Sequence, residues 1–153
     1  MKRIDLGQLI QILANVGVIA GIAFLAFELR QNTIASRAAA YQGLGIATAE
    51  TWFSFAHDRE LTEALWAVDL GGVEAYRNMS RSDQLLTLDV MIGWMRLFEM
   101  AYLQVEQGLL EPEALETLGY AGFLNSTILK ATWPEVKPLV TSAFAEYVEA
   151  SRQ

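Results

Sequence analysis

The chain has 153 residues and no cysteine, so it suits one hydrophobic core of ordinary size and excludes disulfides, thiolate nucleophiles and cysteine-based metal sites. Hydrophobic residues make up 53% of the composition and charged residues 19%. The formal net charge is −7. The charged residues before position 28, which are Lys2, Arg3 and Asp5, add up to +1, so residues 28–153 carry −8. This negative charge disfavours binding to nucleic-acid phosphates.

The first predicted element is an uncharged, apolar helix over residues 6–27. At about 1.5 Å rise per residue it spans about 33 Å, which matches the ~30 Å hydrocarbon core of a bilayer. Its Leu, Ile, Val and Phe side chains together favour insertion by about 5 kcal/mol, and no charge opposes them. We therefore predict a transmembrane helix within residues 1–29 and a helical domain, continuous with it, over residues 30–153.

Two alternatives to a membrane anchor remain open. The basic start Lys2-Arg3 is typical of an export signal, but the small-residue pattern at 38–40 lies far beyond the apolar segment, which is also longer than the usual signal. A helix that is apolar all round can equally be the central helix of a soluble bundle.

Three amides and two glycines mark possible contact faces on this helix. Gln8, Gln11 and Asn15 fall within about 60° of one another, so we expect them to face another helix or interfacial water rather than lipid. Gly17 and Gly21 form a G-x-x-x-G spacing on a different side, which permits close helix contact. The same spacing also arises by chance in a segment rich in glycine and alanine.

The charges that flank the anchor indicate its orientation. Lys2 and Arg3 precede the helix, and Arg30 and Arg37 follow it. The terminal amine adds one positive charge to the first side, which favours a cytoplasmic N-terminus and a periplasmic helical domain.

A second helical pattern continues directly from the first. Ile34, Tyr41, Thr48 and Phe55 recur every seven residues, and no proline interrupts residues 28–56. The pattern predicts one helix of about 50 residues, in which the anchor runs on into an amphipathic stalk.

The remainder of the chain reads as about four further helices, and no stretch alternates with the period of a strand. We therefore predict an all-α bundle. The predicted boundaries are a short helix over 59–69 with Asp58 as N-cap and a stop at Gly71-Gly72, a loop over 71–80, a long helix from the cap Ser80 to Gly108, a fourth from Pro112 to Leu129, a break at Trp133-Pro134 and a last helix from Pro138.

The sequence offers little catalytic chemistry. The single histidine, His57, rules out H-E-x-x-H metal sites and the paired Glu-x-x-His sites of helical bundles, and it reads as a surface or capping residue. No phosphate-binding glycine motif is present. We predict no catalytic residue, no cofactor and no metal site, and we do not expect an enzyme.

Arg96 and Glu99 are the most unusual charges, because they lie three residues apart on an apolar helix. One interpretation is a buried polar cluster, beside Gln104 or with Gln31 and Asn32, that lines a pocket; the other is a salt bridge on a solvated face. Two interpretations also apply to the four tryptophans: they form a binding surface, or they are residues of the core or of the membrane interface. They are Trp52, Trp66, Trp94 and Trp133.

The segments 27–42 and 98–111 resemble a large bacterial family of short uncharacterised proteins with an N-terminal hydrophobic helix and a helical domain. The resemblance rests on Leu29-Arg30-Gln31-Asn32-Thr33, Arg37, Tyr41-Gln42, Phe98-Glu99, Tyr102 and Gly108-Leu109-Leu110. It implies a membrane-anchored helical protein and no catalytic residue. With the predicted anchor, it places the chain in the bacterial inner (cytoplasmic) membrane as a single-pass protein.

Two functions follow as expectations. The first is a single-span membrane protein that acts by binding, as a homo-oligomer or as an accessory subunit of a membrane complex, with lipid and itself or another membrane protein as partners. The second is a soluble helical bundle that binds an apolar ligand and uses residues 6–27 as its core helix.

Overall fold

A computed structural model of the protein describes residues 5–152. Over this range the chain folds into α-helices joined by short turns and contains no β-strand, which confirms the all-α class. The helices of the described range are α1 (Leu6–His57), α2 (Arg59–Asn78), α3 (Arg81–Glu106), α4 (Glu113–Thr117), α5 (Tyr120–Leu124), α6 (Thr127–Val136) and α7 (Ser142–Ala150), with a 3-10 turn at Lys137–Leu139 between the last two.

The long first helix is confirmed. Helix α1 runs for 52 residues without interruption, and neither Gly43 nor Gly45 breaks it. The chain divides into two compact units, of which the first ends at Ala38 and the second begins at Ala39, and α1 contributes to both. The sequence places the boundary between the transmembrane helix and the helical domain at residues 29 and 30. This boundary describes where the membrane ends, and it stays a prediction.

Both predicted N-caps form as expected. An Asp58 carboxylate oxygen accepts the backbone N–H of Leu61 at 2.9 Å, and the Ser80 hydroxyl accepts the backbone N–H of Asp83 at 3.2 Å. Each bond satisfies one of the donors that a helix leaves free in its first turn. These two caps separate α1 from α2 and α2 from α3.

The predicted loop over residues 71–80 is wrong. The backbone departs from helical geometry at Gly72, with φ 69° and ψ −156°, but α2 resumes and continues to Asn78. The reason is tertiary: Tyr76, beyond the kink, is buried with Val68 and Ala131, and its hydroxyl donates a hydrogen bond to Glu135 at 3.1 Å. The glycine redirects the helix instead of ending it.

The predicted end of α3 at Gly108 is confirmed. Gly108 adopts φ 69°, and its N–H bonds to the carbonyl of Val105 while the N–H of Leu109 bonds to that of Gln104, both at 2.9 Å. This pair of bonds is the Schellman motif, in which a glycine in the left-handed region closes a helix.

The single helix predicted from Pro112 to Leu129 is wrong. The structure divides this stretch into α4, α5 and the start of α6, with breaks at Gly119, which has φ 81°, and at Ser126, whose hydroxyl caps α6 by accepting the N–H of Leu129. The described chain therefore has six α-helices after α1 instead of about four.

The break predicted at Trp133-Pro134 is also wrong. Pro134 lies inside α6, two residues from its end, where its ring costs one backbone bond to the carbonyl of the exposed Lys130. Pro138 belongs to the 3-10 turn, and the last helix starts four residues later, at Ser142.

The main core lies in the second unit, around α3. Phe98 stacks on Tyr120 with 4.7 Å between ring centroids and meets Phe144 edge-on at 5.2 Å. The Tyr120 hydroxyl shares a buried hydrogen bond of 2.9 Å with Thr48, which fixes the C-terminal part of α1 against α5. Leu44, the other buried residue of α1, joins the same core.

Candidate functional site

An aromatic cavity of about 230 Å³ lies within the second unit, where the end of α1 meets α2 and α3. We call it the tryptophan pocket, because each of these three helices contributes one tryptophan to its wall. The remaining walls come mainly from phenylalanine and aliphatic side chains of the same helices and of α5 and α6. The residues that define it are Trp52, Phe55, Thr62, Leu65, Trp66, Asp69, Val90, Met91, Trp94, Phe123 and Ile128.

Aromatic contacts hold the walls of this pocket in place. The Trp94 ring stacks at 27° on Phe55 and at 25° on Phe123, with centroids 5.9 Å and 5.1 Å away. Trp52 meets Trp94 at 77° and 5.3 Å, and it meets Phe55 at 80° and 6.1 Å. Such stacked and edge-to-face pairs are worth about 0.5–1.5 kcal/mol each beyond the area they bury. The rings therefore form a corner of fixed planes.

The rim of the pocket exposes large aromatic surface. Trp94 is buried, whereas Trp52 and Trp66 keep 59% and 56% of their surface exposed. Tryptophan is highly buried on average, and clustered exposed aromatic surface is typical of binding sites. The exposure of both rim tryptophans at one cavity favours a binding role over a purely structural one.

Apart from the indole N–H groups of its tryptophans, the described lining of the pocket contains two polar side chains. The Thr62 hydroxyl lies 2.8 Å from the carbonyl oxygen of Phe55 and 2.7 Å from that of Asp58, so its proton is already donated to the backbone. Asp69 is the one charged residue among the lining residues that the structure describes, and it forms no ion pair within residues 5–152. The pocket therefore combines aromatic walls with one free carboxylate.

The fourth tryptophan lies elsewhere. Trp133 is buried in the core, its indole N–H donates to a Glu149 carboxylate oxygen at 3.2 Å, and the Arg152 guanidinium lies 5.5 Å from its ring centroid. The sequence singles out all four tryptophans by residue type but carries no signal for which of them share a cavity.

Arg96 and Glu99 form the predicted i, i+3 pair, with 3.0 Å between the guanidinium nitrogen and the carboxylate oxygen. The pair fits neither interpretation completely, because Glu99 is only 5% exposed while the Arg96 side chain is 56% exposed. The second Glu99 oxygen accepts the backbone N–H of Thr141 at 2.6 Å, at the N-terminal end of α7. Glu99 thus links α3 to α7.

The hydrogen bonds of Glu99 determine its ionisation. Burial alone would raise the pKa of this carboxyl, but the bonds from Thr141 and Arg96 outweigh burial and lower the pKa below its usual value. The carboxylate is therefore charged at neutral pH. Gln31 and Asn32, the other members of the proposed cluster, are exposed on the first unit, and their association with Arg96 and Glu99 stays a prediction.

The helix-packing residues of the first unit are all exposed. Gln8, Gln11 and Asn15 present their amides on the surface of α1, and a Cβ atom added at Gly17 or Gly21 would meet no other atom within 4 Å. These positions are thus accessible to another helix. Lys2 and Arg3, on which the export signal and the orientation depend, lie outside the described residues.

A second, acidic cavity of about 550 Å³ lies between the ends of α3, α4 and α7 and is lined in part by Glu106, Glu113 and Glu116. In the part of the chain that the structure describes, no three His, Asp or Glu side chains are grouped closely enough to hold a metal ion. We therefore take the tryptophan pocket as the candidate site.

Comparison with protein-family models, with curated proteins and with solved structures found no match for this chain. The resemblance to the bacterial family therefore stays a prediction.

Proposed function

We propose that this protein is a single-span membrane protein whose helical unit acts by binding. The observation that carries the proposal is the apolar part of α1. Its most apolar window of 18 residues has a mean hydropathy of 2.2, and none of that window is buried. Ile19, Ile22 and Phe24 are each exposed over more than half of their surface. Water solvates such a continuous apolar surface poorly, whereas lipid covers it.

The backbone of α1 also suits a bilayer. In hydrocarbon, every backbone N–H and C=O must be satisfied within the segment, which a helix achieves. Helix α1 is unbroken through the whole apolar segment and continues past it, so beyond its first turn each backbone N–H and C=O of that segment has its partner within the helix. By length and composition it is the one helix among the described residues that is able to cross a membrane.

The polar and small residues of the apolar segment support association with a second membrane helix. Gln8, Gln11 and Asn15 are costly to expose to lipid tails, and interhelical hydrogen bonds would satisfy them. Gly17 and Gly21 leave open space where another backbone would approach closely. We therefore propose a homo-oligomer or an accessory subunit of a complex in the bacterial inner membrane, with the helical unit in the periplasm.

Washing isolated membranes with alkaline carbonate tests this proposal, because it removes peripheral proteins and leaves spanning ones. We expect the protein to remain in the pellet. The variant Ile19→Lys should shift it toward the supernatant, since a central charge costs about 2.5–3.5 kcal/mol against a total insertion gain of about 5 kcal/mol. Ile34→Lys is the matched control, because Ile34 is also an exposed isoleucine of α1 but lies outside the apolar segment. Release of the unmodified protein would overturn the proposal.

A soluble bundle that binds an apolar ligand is the second candidate, and the tryptophan pocket is the observation that favours its ligand-binding part. The exposure of residues 6–27 does not favour their use as a core helix. Purification without detergent as a monodisperse, folded species would support this candidate over the membrane protein.

A further inference from the structure

We propose that the tryptophan pocket binds a quaternary ammonium group, such as the trimethylammonium of choline. This inference rests on the proposed function in one respect, namely that the helical unit acts by binding. The pocket lies entirely in the second unit, so its chemistry can be tested apart from the membrane anchor.

The shape of the pocket suits a small, rounded group. Its volume of about 230 Å³ is below the roughly 300–1,000 Å³ of common small-molecule sites. Because Trp52 stands nearly perpendicular to Trp94 and Phe55, the walls form a corner and not a slot between parallel rings. A flat ring fills a slot, whereas a tetrahedral group with three methyls contacts both walls of a corner.

The electrostatics of the pocket select a cation. Aromatic faces carry negative potential, and aromatic cages are the recurrent solution for binding quaternary ammonium ions. Asp69 adds a full negative charge, and no lysine or arginine is among the lining residues that the structure describes. The formal charge of −8 on residues 28–153 favours cations over anionic ligands such as fatty acids.

The scarcity of hydrogen-bonding groups distinguishes a quaternary from a primary ammonium. A primary ammonium carries three donors and loses three bonds to water when it is buried. Among the lining side chains, only the Asp69 carboxylate and the lone pairs of the Thr62 hydroxyl, whose proton is donated to the backbone, accept hydrogen bonds from it. A quaternary ammonium donates no hydrogen bond, so the same apolar walls desolvate it without leaving unpaired donors.

Calorimetric titration of the full chain in maltoside detergent with choline chloride tests the proposal. The neutral ligand 3,3-dimethylbutan-1-ol has the same shape without the charge. We expect choline to bind saturably and about tenfold more tightly than the neutral ligand, as a partly desolvated cation–π contact predicts. Equal affinity for the two ligands, or no binding of choline, would overturn the proposal.

Variants at the rim assign the effect to this pocket. Asp69→Asn keeps the shape and removes the charge, so choline should bind about fivefold more weakly while the neutral ligand is unaffected. Trp66→Leu should weaken choline binding about tenfold, and Trp66→Phe should restore part of it. Asp89→Asn is the matched control, because Asp89 is an exposed aspartate of α3 that does not line the pocket. Unchanged choline affinity in Asp69→Asn and Trp66→Leu, each with wild-type helicity, would contradict the assignment.

Two sources supply this chemistry, free choline-like solutes and the headgroup of phosphatidylcholine. Reconstitution into phosphatidylglycerol vesicles, with or without phosphatidylcholine, distinguishes them. A weaker apparent affinity for choline in the mixed vesicles identifies the lipid headgroup as the occupant, and equal affinity identifies a free solute. If carbonate released the protein from membranes and the released protein still bound choline, the proposed membrane function would be overturned and the choline site would stand.

Discussion

At the scale of single residues, Glu99 is the one charged residue that is buried among the residues that the structure describes. Its two carboxylate oxygens accept one hydrogen bond from the start of α7 and one from Arg96, and the side chain is almost fully buried. A buried carboxylate without hydrogen-bond donors is costly, so these two bonds offset the cost of burying Glu99.

We predict that Glu99→Ala destabilises the helical unit by about 1–3 kcal/mol, since it leaves the Thr141 N–H without its acceptor. Arg96→Ala should cost less than about 1 kcal/mol, because the Arg96 end of the ion pair is more than half exposed. Urea unfolding followed by circular dichroism measures both values. Equal losses in the two variants would show that the ion pair, and not the link to α7, carries the stability.

Tyr76 gives a prediction of pH dependence. Burial, and then its hydrogen bond to Glu135, raise the pKa of this phenol to about 12. Because the folded protein favours the neutral phenol, the stability from Tyr76 is complete below pH ~10 and is lost as pH rises toward about 12. Ultraviolet titration should show an ionisation step near pH 12, and this step should be missing in Tyr76→Phe. An unchanged titration curve in that variant would contradict this assignment.

At the scale of elements, the kink of α2 depends on one glycine. Gly72 has φ 69° and ψ −156°, a region that side chains other than glycine rarely adopt. We predict that Gly72→Ala costs about 1–3 kcal/mol of unfolding free energy.

Gly43→Ala is the matched control for this prediction. Gly43 lies inside α1 with helical geometry, and a Cβ atom added there would meet only open space, so alanine should stabilise the helix by about 0.5–1 kcal/mol. Urea unfolding of both variants should therefore give shifts of opposite sign. A stabilising Gly72→Ala would show that α2 does not need its kink.

The elements that the sequence predicts well are those that local chemistry determines. The caps Asp58 and Ser80 and the terminator Gly108 act within a few residues of themselves, and all three appear as expected. The break at Gly119 escapes prediction because the leucine-rich stretch around it is compatible with one helix. The break is stabilised by the neighbouring Tyr120, which stacks on Phe98 and forms a hydrogen bond with Thr48, 72 positions away in the sequence.

The same distinction applies to the candidate site. Trp52, Trp66 and Trp94 stand out in the sequence by residue type, but they come from three helices and meet only through tertiary packing. Asp69 carries no sequence signal, because an exposed carboxylate on a helix is ordinary until its neighbours are known. Sequence reasoning therefore predicts the fold class and the long first helix, and it misses the pocket.

At the scale of the whole molecule, the chain combines two parts with different surfaces. The apolar part of α1 exposes aliphatic side chains throughout, whereas the second unit buries its own core and carries an acidic surface. The proposed function follows from this difference, because each part is stable only where its surface is solvated. The central claim is that residues 6–27 lie in lipid.

The absence of cysteine from the sequence allows a direct measurement of that claim, since one introduced cysteine takes a spin label at a single place. Val16→Cys places the label in the middle of the apolar segment, and Glu50→Cys places it on α1 beyond that segment. Electron paramagnetic resonance in vesicles then compares collisions of each label with oxygen, which concentrates in lipid, and with a water-soluble nickel chelate. We predict that the label at 16 is accessible to oxygen and shielded from nickel, and that the label at 50 shows the reverse. Equal nickel accessibility at both positions would contradict the membrane account.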